Sequence, residues 1–340
     1  MKPGSLNILI TGGAGFIGSN LSRSLLKSGH RVTVIDNLVT GRKSNVADLA
    51  GNSNFTLSVG DISDKAALRQ FSSPRAEPFD RIYHLACPTG VPNIERLGEE
   101  MLRACSYGTW NVLELAARHR ARVLVVSSSE VYGDPEVFPQ SESYAGNVHP
   151  HGWRANYEEG KRFTETLASW YGRSKGLDVR TVRLFNVYGP AMAWEDFRVI
   201  PRFVSQALSG DPLTIHGDGS QRRTFCYVSD LIAGLELILE NGQSTEIYNL
   251  GGHEELSILD VAYLVLKLTN GGTIDKDRIL FTARPSHDHG SRVPDLRKIH
   301  SLGWKQTLGF EEGLQKTITY FAKIEMSKSL PHVLSTHNKK

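Results

Sequence analysis

Short apolar runs alternate with amphipathic stretches through the first half of the chain. The runs are rich in β-branched residues, which is typical of strands covered on both faces of a sheet. The amphipathic stretches repeat apolar residues every three or four positions, which is typical of helices. Together they predict an α/β fold with a doubly wound parallel sheet. The predicted strands are Ile8–Ile10, Val32–Ile35, Phe55–Val59, Arg81–Leu85, Val123–Val126, Val179–Leu184 and Ile247–Leu250, and the predicted long helices are Gly98–His119 and Tyr157–Ser174.

A glycine-rich turn joins the first predicted strand to a helix. Residues 11–18 read Thr-Gly-Gly-Ala-Gly-Phe-Ile-Gly. Such glycines allow a tight turn and a close approach of backbone to a pyrophosphate, and the helix N-terminus supplies N–H donors. The second strand ends in Asp36, at the distance expected for a carboxylate that holds an adenosine ribose and repels a 2′-phosphate. The sequence therefore predicts bound NAD, with contacts from Gly12, Gly15, Phe16, Ile17, Gly18 and Asp36.

The pattern becomes irregular after Gly189-Pro190, where turn signals interrupt the periodicity. We predict an NAD-binding Rossmann domain from residues 1–185 and 224–250. A smaller α/β substrate domain is predicted from residues 186–223 and 251–325. Residues 326–340 are polar and are predicted to form a frayed tail.

Composition changes this picture little. The 340 residues carry a net charge of +3 and are 40% hydrophobic. The small charge argues against nucleic acid or a membrane as partner, and no apolar run approaches the length of a membrane span. The three cysteines are far apart and lack metal-ligand spacing, so we expect a reducing cytoplasm and no metal. Two short histidine clusters, His149-Pro150-His151 and His287-Asp288-His289, are interpreted as loop residues.

Tyr157 and Lys161 lie four residues apart and therefore share one face of a predicted helix. An ammonium group beside a phenol favours the phenolate and lowers the pKa of the tyrosine, which is ordinarily about 10. Such a tyrosine can take a hydroxyl proton while a hydride leaves the same carbon to NAD. The strand at 123–126 runs into Ser127-Ser128-Ser129-Glu130. Hydroxyls and a carboxylate are thus expected at the C-terminal end of a strand, where ligands of open α/β sheets bind.

These motifs together resemble the extended short-chain dehydrogenase/reductase family, whose members modify nucleotide sugars. The resemblance covers residues 6–322. It implies a UDP-sugar substrate and a homodimer formed by the two long helices, in which Leu113, Leu115, Leu167 and Trp170 would lie at the interface or in the core. It further implies that Asn37, Asp61, Ile62, Leu85, Ala86, Tyr157 and Lys161 contact NAD and that Asn186, Arg198, His216, Arg223 and Arg292 bind the nucleotide sugar.

Three activities of this family begin with oxidation of the sugar at carbon 4, and the residues after Ser128 distinguish them. Residues 128–135, Ser-Ser-Glu-Val-Tyr-Gly-Asp-Pro, resemble the UDP-glucuronate decarboxylases, as does the segment Arg292-Val293-Pro294-Asp295. Glu130, where 4-epimerases carry a small residue, argues against simple epimerisation. Ser129, where 4,6-dehydratases carry an acid, argues against dehydration. We predict decarboxylation of UDP-glucuronate to UDP-xylose or to its 4-keto form, and the alternatives are an epimerase, a dehydratase and an NAD-binding sensor.

The same resemblance implies a role for each catalytic residue. Tyr157 is expected to remove and return the hydroxyl proton, with Lys161 stabilising the phenolate. Ser128 is expected to hydrogen-bond to the carbon-4 oxygen. The side chains expected near the departing carboxylate, where they would help to protonate carbon 5, are Ser129, Glu130 and Arg292.

The chain departs from the decarboxylase pattern in the predicted substrate pocket. His216 stands where an aromatic tyrosine usually lies near uracil. Residues 89–93 replace a Pro-Pro-x-Tyr-like loop. An asparagine that usually precedes the Gly-Thr pair is replaced, which leaves Ala104-Cys105-Ser106-Tyr107-Gly108-Thr109. Arg284-Pro285 with His287-Asp288 is similar to a dehydratase segment. A specialised relative would account for these departures.

Overall fold

The computed structural model of the protein describes residues 4–73, 75–284 and 291–329. Its strands are β1 (Asn7–Thr11), β2 (Arg31–Asp36), β3 (Phe55–Val59), β4 (Arg81–His84), β5 (Arg122–Ser128), β6 (Val179–Leu184), β7 (Val187–Tyr188), β8 (Leu213–His216), β9 (Arg222–Thr224), β10 (Cys226–Tyr227), β11 (Ile247–Leu250), β12 (Glu255–Ser257) and β13 (Ile279–Thr282). Its α-helices are α1 (Phe16–Lys27), α2 (Val91–Arg96), α3 (Gly98–Arg103), α4 (Thr109–His119), α5 (Ala155–Lys175), α6 (Val199–Ser209), α7 (Val228–Asn241), α8 (Ile258–Thr269), α9 (Arg297–Ser301) and α10 (Phe310–Ser329).

A seven-stranded parallel sheet forms the centre of the fold, in the order β11-β6-β5-β4-β1-β2-β3. The predicted doubly wound sheet is therefore confirmed. The chain order reverses between β1 and β4, and this is the switch point at which open α/β sheets bind ligands. The turn after β1 and the ends of β4 and β5 consequently face one crevice. Within the described ranges, no helix combines the length and hydropathy that a bilayer span requires.

The helix predicted over residues 98–119 is interrupted. A π-helical segment, Ala104–Gly108, separates α3 from α4. The Thr109 hydroxyl donates to the Ala104 carbonyl at 3.3 Å, across the widened turn. A Cβ added at Gly108 would lie 2.7 Å from Cδ1 of Ile62, so this turn packs tightly against the segment after β3. Single-turn π-segments within α-helices occur frequently at functional sites.

The second half of the chain contains more regular structure than its sequence pattern indicated. Three two-stranded ladders join distant short strands, with β7 beside β10, β8 beside β13, and β9 beside β12. The strands of each ladder are only two to four residues long, too short for an alternating pattern to identify. The β7–β10 ladder links segments assigned to different predicted domains, and the domain division stays a prediction. Helix α10 continues to Ser329, past the predicted start of the tail, and residues 330–340 lie outside the described part of the chain.

A buried ion pair joins α5 to β6 behind the crevice. Arg183 donates to Glu165 through Nη2 at 2.7 Å and through Nε at 2.9 Å, a bidentate arrangement. The Ser127 hydroxyl donates to the same carboxylate at 2.6 Å. Both charged side chains are about 10% exposed. Removing one partner would leave the other charge buried without compensation.

We predict that Arg183→Met lowers the free energy of unfolding by about 3 kcal/mol, because Glu165 then remains buried without its cation. Urea denaturation followed by circular dichroism measures the change. The matched control is Lys316→Met, which breaks the exposed pair with Glu312 and should cost less than about 1 kcal/mol. Equal losses in the two variants would contradict a special contribution from the buried pair.

Candidate active site

A cleft of about 1240 Å³ lies along the C-terminal ends of the central strands. Its volume and its mixture of apolar walls and convergent polar groups are typical of a ligand site. The residues predicted from the sequence that border it are Gly12, Gly15, Phe16, Ile17, Gly18, Asp36, Asn37, Asp61, Ile62, Leu85, Ala86, Ser128, Ser129, Glu130, Tyr157, Lys161, Asn186, Arg198, His216, Arg223 and Arg292. The fold therefore brings the whole predicted set to one cleft, although bordering the cleft does not by itself assign a role to each residue.

The glycine turn forms one end of the cleft. Gly12 has a φ of +71°, and a Cβ there would lie 2.8 Å from the Cα of Ala86. A Cβ at Gly18 would lie 2.5 Å from the carbonyl oxygen of Gly12. Helix α1 starts immediately after Gly15, its N-cap residue. The turn thus leaves a backbone cradle at a helix N-terminus, which fits the pyrophosphate of a dinucleotide.

Asp36 borders the cleft next to this cradle. Its carboxylate accepts hydrogen bonds from the backbone N–H of Ala14 at 2.9 Å and of Leu38 at 2.8 Å. Burial raises the pKa of Asp36, and the two backbone N–H groups oppose that rise. Asn37 donates to Asp61 at 3.0 Å and links the ends of β2 and β3. A carboxylate held in this way fits the ribose of NAD and disfavours a 2′-phosphate.

Lys161 and Tyr157 project from α5 toward the end of β5. Lys161 Nζ donates to the Val126 carbonyl at 2.9 Å and lies 5.9 Å from the centroid of the Tyr157 ring. Burial raises the pKa of Tyr157 to about 12, while Lys161 and a hydrogen bond with Ser128 act in the opposite direction. The net direction is opposite to the sequence-based expectation, because burial outweighs the ammonium group.

Glu130 lies between two guanidinium groups. It belongs to the 3₁₀ turn Ser129–Tyr132, and its backbone N–H donates to the Ser128 hydroxyl at 3.2 Å. Arg154 Nη2 donates to Glu130 Oε2 at 2.7 Å, and Arg292 Nη1 donates to the other carboxylate oxygen. These three side chains are 9–17% exposed. The carboxylate is therefore oriented by two cations in a nearly dry part of the cleft.

Arg154 is a site residue that the sequence analysis did not assign. It precedes the first residue of α5, and its Nε also lies 3.5 Å from Glu158 Oε1. The segment Gly152-Trp153-Arg154 was a possible signal, because it precedes the tyrosine directly. No spacing rule connects Arg154 with Glu130, which is 24 residues away.

Further cations and a histidine border the cleft. His216 is held between Thr282 Oγ1, 2.8 Å from Nδ1, and Arg202 Nη1, 3.0 Å from Nε2. Arg198 donates through Nε to both oxygens of Asp196 at 3.0 Å. Arg202, like Arg154, borders the cleft and was missed from the sequence.

Asn186 and Arg223 also border the cleft. The Asn186 side-chain amide donates to the Thr224 carbonyl at 3.1 Å, so it holds the end of β9 in place. Arg223 forms a β-bridge with Arg292, and its guanidinium donates to Gln221 at 3.1 Å. The bridge explains how residue 292, remote in sequence, reaches Glu130.

Among the residues that the structure describes, no three His, Cys, Asp or Glu side chains are grouped so as to hold a metal ion. His149 and His151 stack edge to face, with ring centroids 6.4 Å apart. The cluster His287-Asp288-His289 lies outside the described residues.

The sequence matches the NAD dependent epimerase/dehydratase family over residues 8–251. UDP-glucuronic acid decarboxylase 1 from Xenopus tropicalis is 45% identical over 317 residues, which cover 93% of this chain and 72% of the relative. UDP-glucuronic acid decarboxylase 1 from Arabidopsis thaliana is 41% identical over 318 residues, covering 93% of this chain and 70% of the relative.

Solved structures of related enzymes share the fold. UDP-glucose 4-epimerase from Thermotoga maritima, solved with UDP-glucose, is similar with a TM-score of 0.84 at 28% identity, over 94% of this chain and 100% of that one. A dTDP-glucose 4,6-dehydratase from Streptomyces venezuelae, solved with NAD bound, gives a TM-score of 0.84 at 29% identity, over 95% of this chain and 98% of that one.

We predict that Lys161→Met shifts the pH dependence of kcat/KM upward and lowers the rate at pH about 7 by at least about tenfold. The ammonium group favours the phenolate, so its loss raises the pKa of Tyr157 further and leaves less phenolate at a given pH. The pH profile of turnover measures the shift, with the exposed Lys175→Met, on the same helix, as control. An unchanged profile in the Lys161 variant would show that its charge does not act on Tyr157.

Proposed function

The chain belongs to the NAD dependent epimerase/dehydratase family, and we propose that it is an NAD-dependent enzyme that converts UDP-glucuronate to UDP-xylose. The similarity to UDP-glucuronic acid decarboxylases spans more than nine-tenths of the chain. The resemblance to the extended short-chain dehydrogenase/reductases is thereby confirmed. Its cofactor is NAD, for which the side-chain-free cradle at Gly12 and Gly18 leaves room.

The Arg154–Glu130–Arg292 cluster is the observation that carries the proposal. Planar guanidinium groups recognise carboxylates through paired hydrogen bonds. Two such groups border the cleft beside Ser128 and Tyr157, the residues assigned to carbon 4 of the sugar. The carboxylate of glucuronate, which is carbon 6, is attached to carbon 5, the neighbour of carbon 4. It would therefore enter the region of these cations.

Oxidation at carbon 4 is the first step. When bound, NAD supplies the hydride acceptor and later returns the hydride. Tyr157 accepts the proton of the carbon-4 hydroxyl and gives it back when the ketone is reduced. Lys161 stabilises the phenolate form, and Ser128, which shares a hydrogen bond with Tyr157, orients the carbon-4 oxygen.

Decarboxylation follows from the ketone. A carbon-4 ketone makes the sugar a β-keto acid, so the bond between carbons 5 and 6 breaks, carbon dioxide leaves, and its electron pair becomes an enolate. A proton must then reach carbon 5. We assign this transfer to Glu130, which takes up a proton from solvent and passes it to carbon 5. Arg154 and Arg292 hold its carboxylate beside Ser128, with the buried Ser129 next to it. The two arginines act as positioning residues for Glu130.

The cations at the other end suit the UDP group. Arg198, Arg223 and Asn186 border the same cleft as the sugar residues and His216. Arginine matches phosphate oxygens bidentately, so we assign Arg198 and Arg223 to the diphosphate. His216 is fixed on two sides by Arg202 and Thr282 and is assigned to the uracil.

We also propose a homodimer formed by the long helices. Leu113, Leu115 and Leu167, which were candidates for the interface or the core, are at most 6% exposed and belong to the core. The exposed apolar side chains on these helices are Leu102, Tyr107, Trp110, Phe163 and Trp170. Trp110 and Trp170 both pack against Tyr171, so the patch is continuous across α4 and α5. A second copy would remove this apolar surface from water.

The redox state of the cysteines indicates the cellular compartment of the protein. Cys87, Cys105 and Cys226 are free thiols. Thiols stay reduced in the cytoplasm, whereas oxidising compartments favour disulfides. We propose the cytoplasm on this basis.

We predict that the purified chain with NAD converts UDP-glucuronate, labelled with ¹³C at carbon 6, to UDP-xylose and labelled carbon dioxide. Nuclear magnetic resonance follows both products. UDP-galacturonate that keeps the label would instead make the chain an epimerase.

In the same assay, Arg154→Met should slow UDP-xylose formation by about tenfold or more and raise the ratio of labelled carbon dioxide to UDP-xylose, because Glu130, which protonates carbon 5 after carbon dioxide has left, loses one positioning cation. The control is Arg173→Met, at an exposed position on α5. A lower rate with an unchanged product ratio would indicate a merely structural role for Arg154.

We predict that Trp110→Glu converts the dimer to a monomer, because a charge is placed within an apolar interface. Sedimentation velocity gives the mass. Leu280→Glu, at a side chain that is 52% exposed elsewhere, should remain dimeric. A wild-type chain that sediments as a monomer would refute the interface.

A further inference from the structure

Two thiols that the proposed mechanism does not use lie in contact beside the catalytic pair. The Sγ atoms of Cys87 and Cys105 are 3.6 Å apart. Cys87 follows β4 in a segment without regular structure and borders the cleft, where it is half-buried. Cys105 lies in the π-helical segment and is 2% exposed. The sequence separation of 18 residues gave no sign of this contact.

The position of Cys105 depends on a glycine of α5. A Cβ at Gly160 would lie 3.2 Å from Cys105 Sγ and 3.3 Å from its Cβ. The absence of that Cβ lets the π-helical segment approach α5 between Tyr157 and Lys161. Cys105 is consequently held by packing against α5, whereas Cys87 borders the cleft.

The charge around the pair favours a reactive thiolate. A hydrogen bond joins the Cys87 and Cys105 thiols, and this bond together with the nearby Lys161 ammonium lowers the pKa of Cys105. The same hydrogen bond raises the pKa of Cys87. The arrangement therefore favours a thiolate at Cys105. Thiolates, and not thiols, react with peroxides and disulfides.

We propose that Cys87 and Cys105 are an oxidisable dithiol, which a hydroperoxide converts to a disulfide that weakens NAD binding and turnover. The part of this inference that concerns turnover rests on the proposed function, whereas the oxidation and the change in NAD binding do not. The site differs from a lone reactive cysteine because the resolving thiol is already in contact.

The reaction balances with hydrogen peroxide as the oxidant. The Cys87 sulfur, which faces the cleft, passes its proton to Cys105 and attacks one peroxide oxygen. The O–O bond breaks, hydroxide leaves and takes a proton from solvent to become the first water, and Cys87 becomes a sulfenic acid. Cys105 then attacks the Cys87 sulfur, the S–O bond breaks, and the departing hydroxyl takes the Cys105 proton to become the second water. The thiol and the thiolate together lose two electrons and one proton, and the peroxide takes up these and one proton from solvent.

Formation of the disulfide moves the wall of the cofactor cleft. A disulfide bond is about 2.05 Å long, so the sulfurs must approach by about 1.5 Å. Most of this movement falls on Cys87, because Cys105 is packed against Gly160. The neighbouring residue, Ala86, packs against the glycine turn. A Cβ added at Gly12 would lie only 2.8 Å from the Cα of Ala86. A shift at Cys87 is thus transmitted to the glycine turn that binds the pyrophosphate.

The covalent change is tested on the full chain treated with hydrogen peroxide. Intact-mass spectrometry should show a loss of 2 Da, the mass of two hydrogen atoms, and peptide mapping should link Cys87 to Cys105. Dithiothreitol should restore the original mass. Neither Cys87→Ser nor Cys105→Ser should lose 2 Da, whereas Cys226→Ala, in which a buried thiol elsewhere is removed, should still do so. A wild-type mass that stays constant, or that rises by 16 Da without a linked peptide, would overturn the dithiol.

The effect on the site is tested by comparing oxidised and reduced forms of each variant. Equilibrium dialysis should give a Kd for NAD at least about tenfold higher in the oxidised wild type, with a similar fall in turnover, since displacements near 1 Å have effects of this size. Both changes should be reversed by dithiothreitol and should persist in Cys226→Ala. In Cys105→Ser, peroxide should change neither value. A linked disulfide with unchanged Kd for NAD would refute the switch even if UDP-glucuronate proved not to be the substrate.

Discussion

One buried ammonium group organises the active site. Lys161 donates to the Val126 carbonyl and so attaches α5 to the C-terminal end of β5. A buried cation is costly unless it is hydrogen-bonded and surrounded by compensating groups. Here Tyr157, Glu165 and the nearby thiols supply that compensation. The position of the catalytic helix and the ionisation of Tyr157 consequently depend on the same charge, and a change in one affects the other.

The dry surroundings decide which groups around that charge can ionise. Behind Lys161, His84 is held between the hydroxyls of Thr11, at 2.8 Å, and Thr109, at 3.1 Å. Burial and the positive charge of Lys161 lower the pKa of His84 to about 3, so the imidazole stays neutral. A second cation at this point would compete with Lys161 for the tyrosine. Burial also favours the neutral form of Tyr157, the phenol, and so raises the pKa of this residue. The ammonium is thus the group that makes the phenolate accessible.

The part of the cleft around Glu130 is built differently. Its charged side chains come from remote parts of the chain. Glu130 stands on the turn after β5, Arg154 precedes α5, and Arg292 reaches the cleft through its bridge to Arg223. Each is paired, so none of these charges is buried without compensation. Arrangements of this kind hold a carboxylate within a narrow range of positions, which a proton transfer to one carbon requires.

The sequence by itself determined three features: the apolar runs that become the central strands, the glycine turn, and the Tyr157–Lys161 spacing. Each of them depends on neighbours within one turn or one strand. The sequence also placed the glycine turn, Asp36 and the residues after Val126 at one edge of the sheet, since the C-terminal ends of parallel strands share an edge. Only the tertiary structure decided the rest. The pairing of Arg154 with Glu130, the short ladders after residue 187, and the contact of Cys87 with Cys105 join segments that no periodicity relates. The net rise in the pKa of Tyr157 likewise depends on burial, which is a property of the packed molecule and not of any local motif.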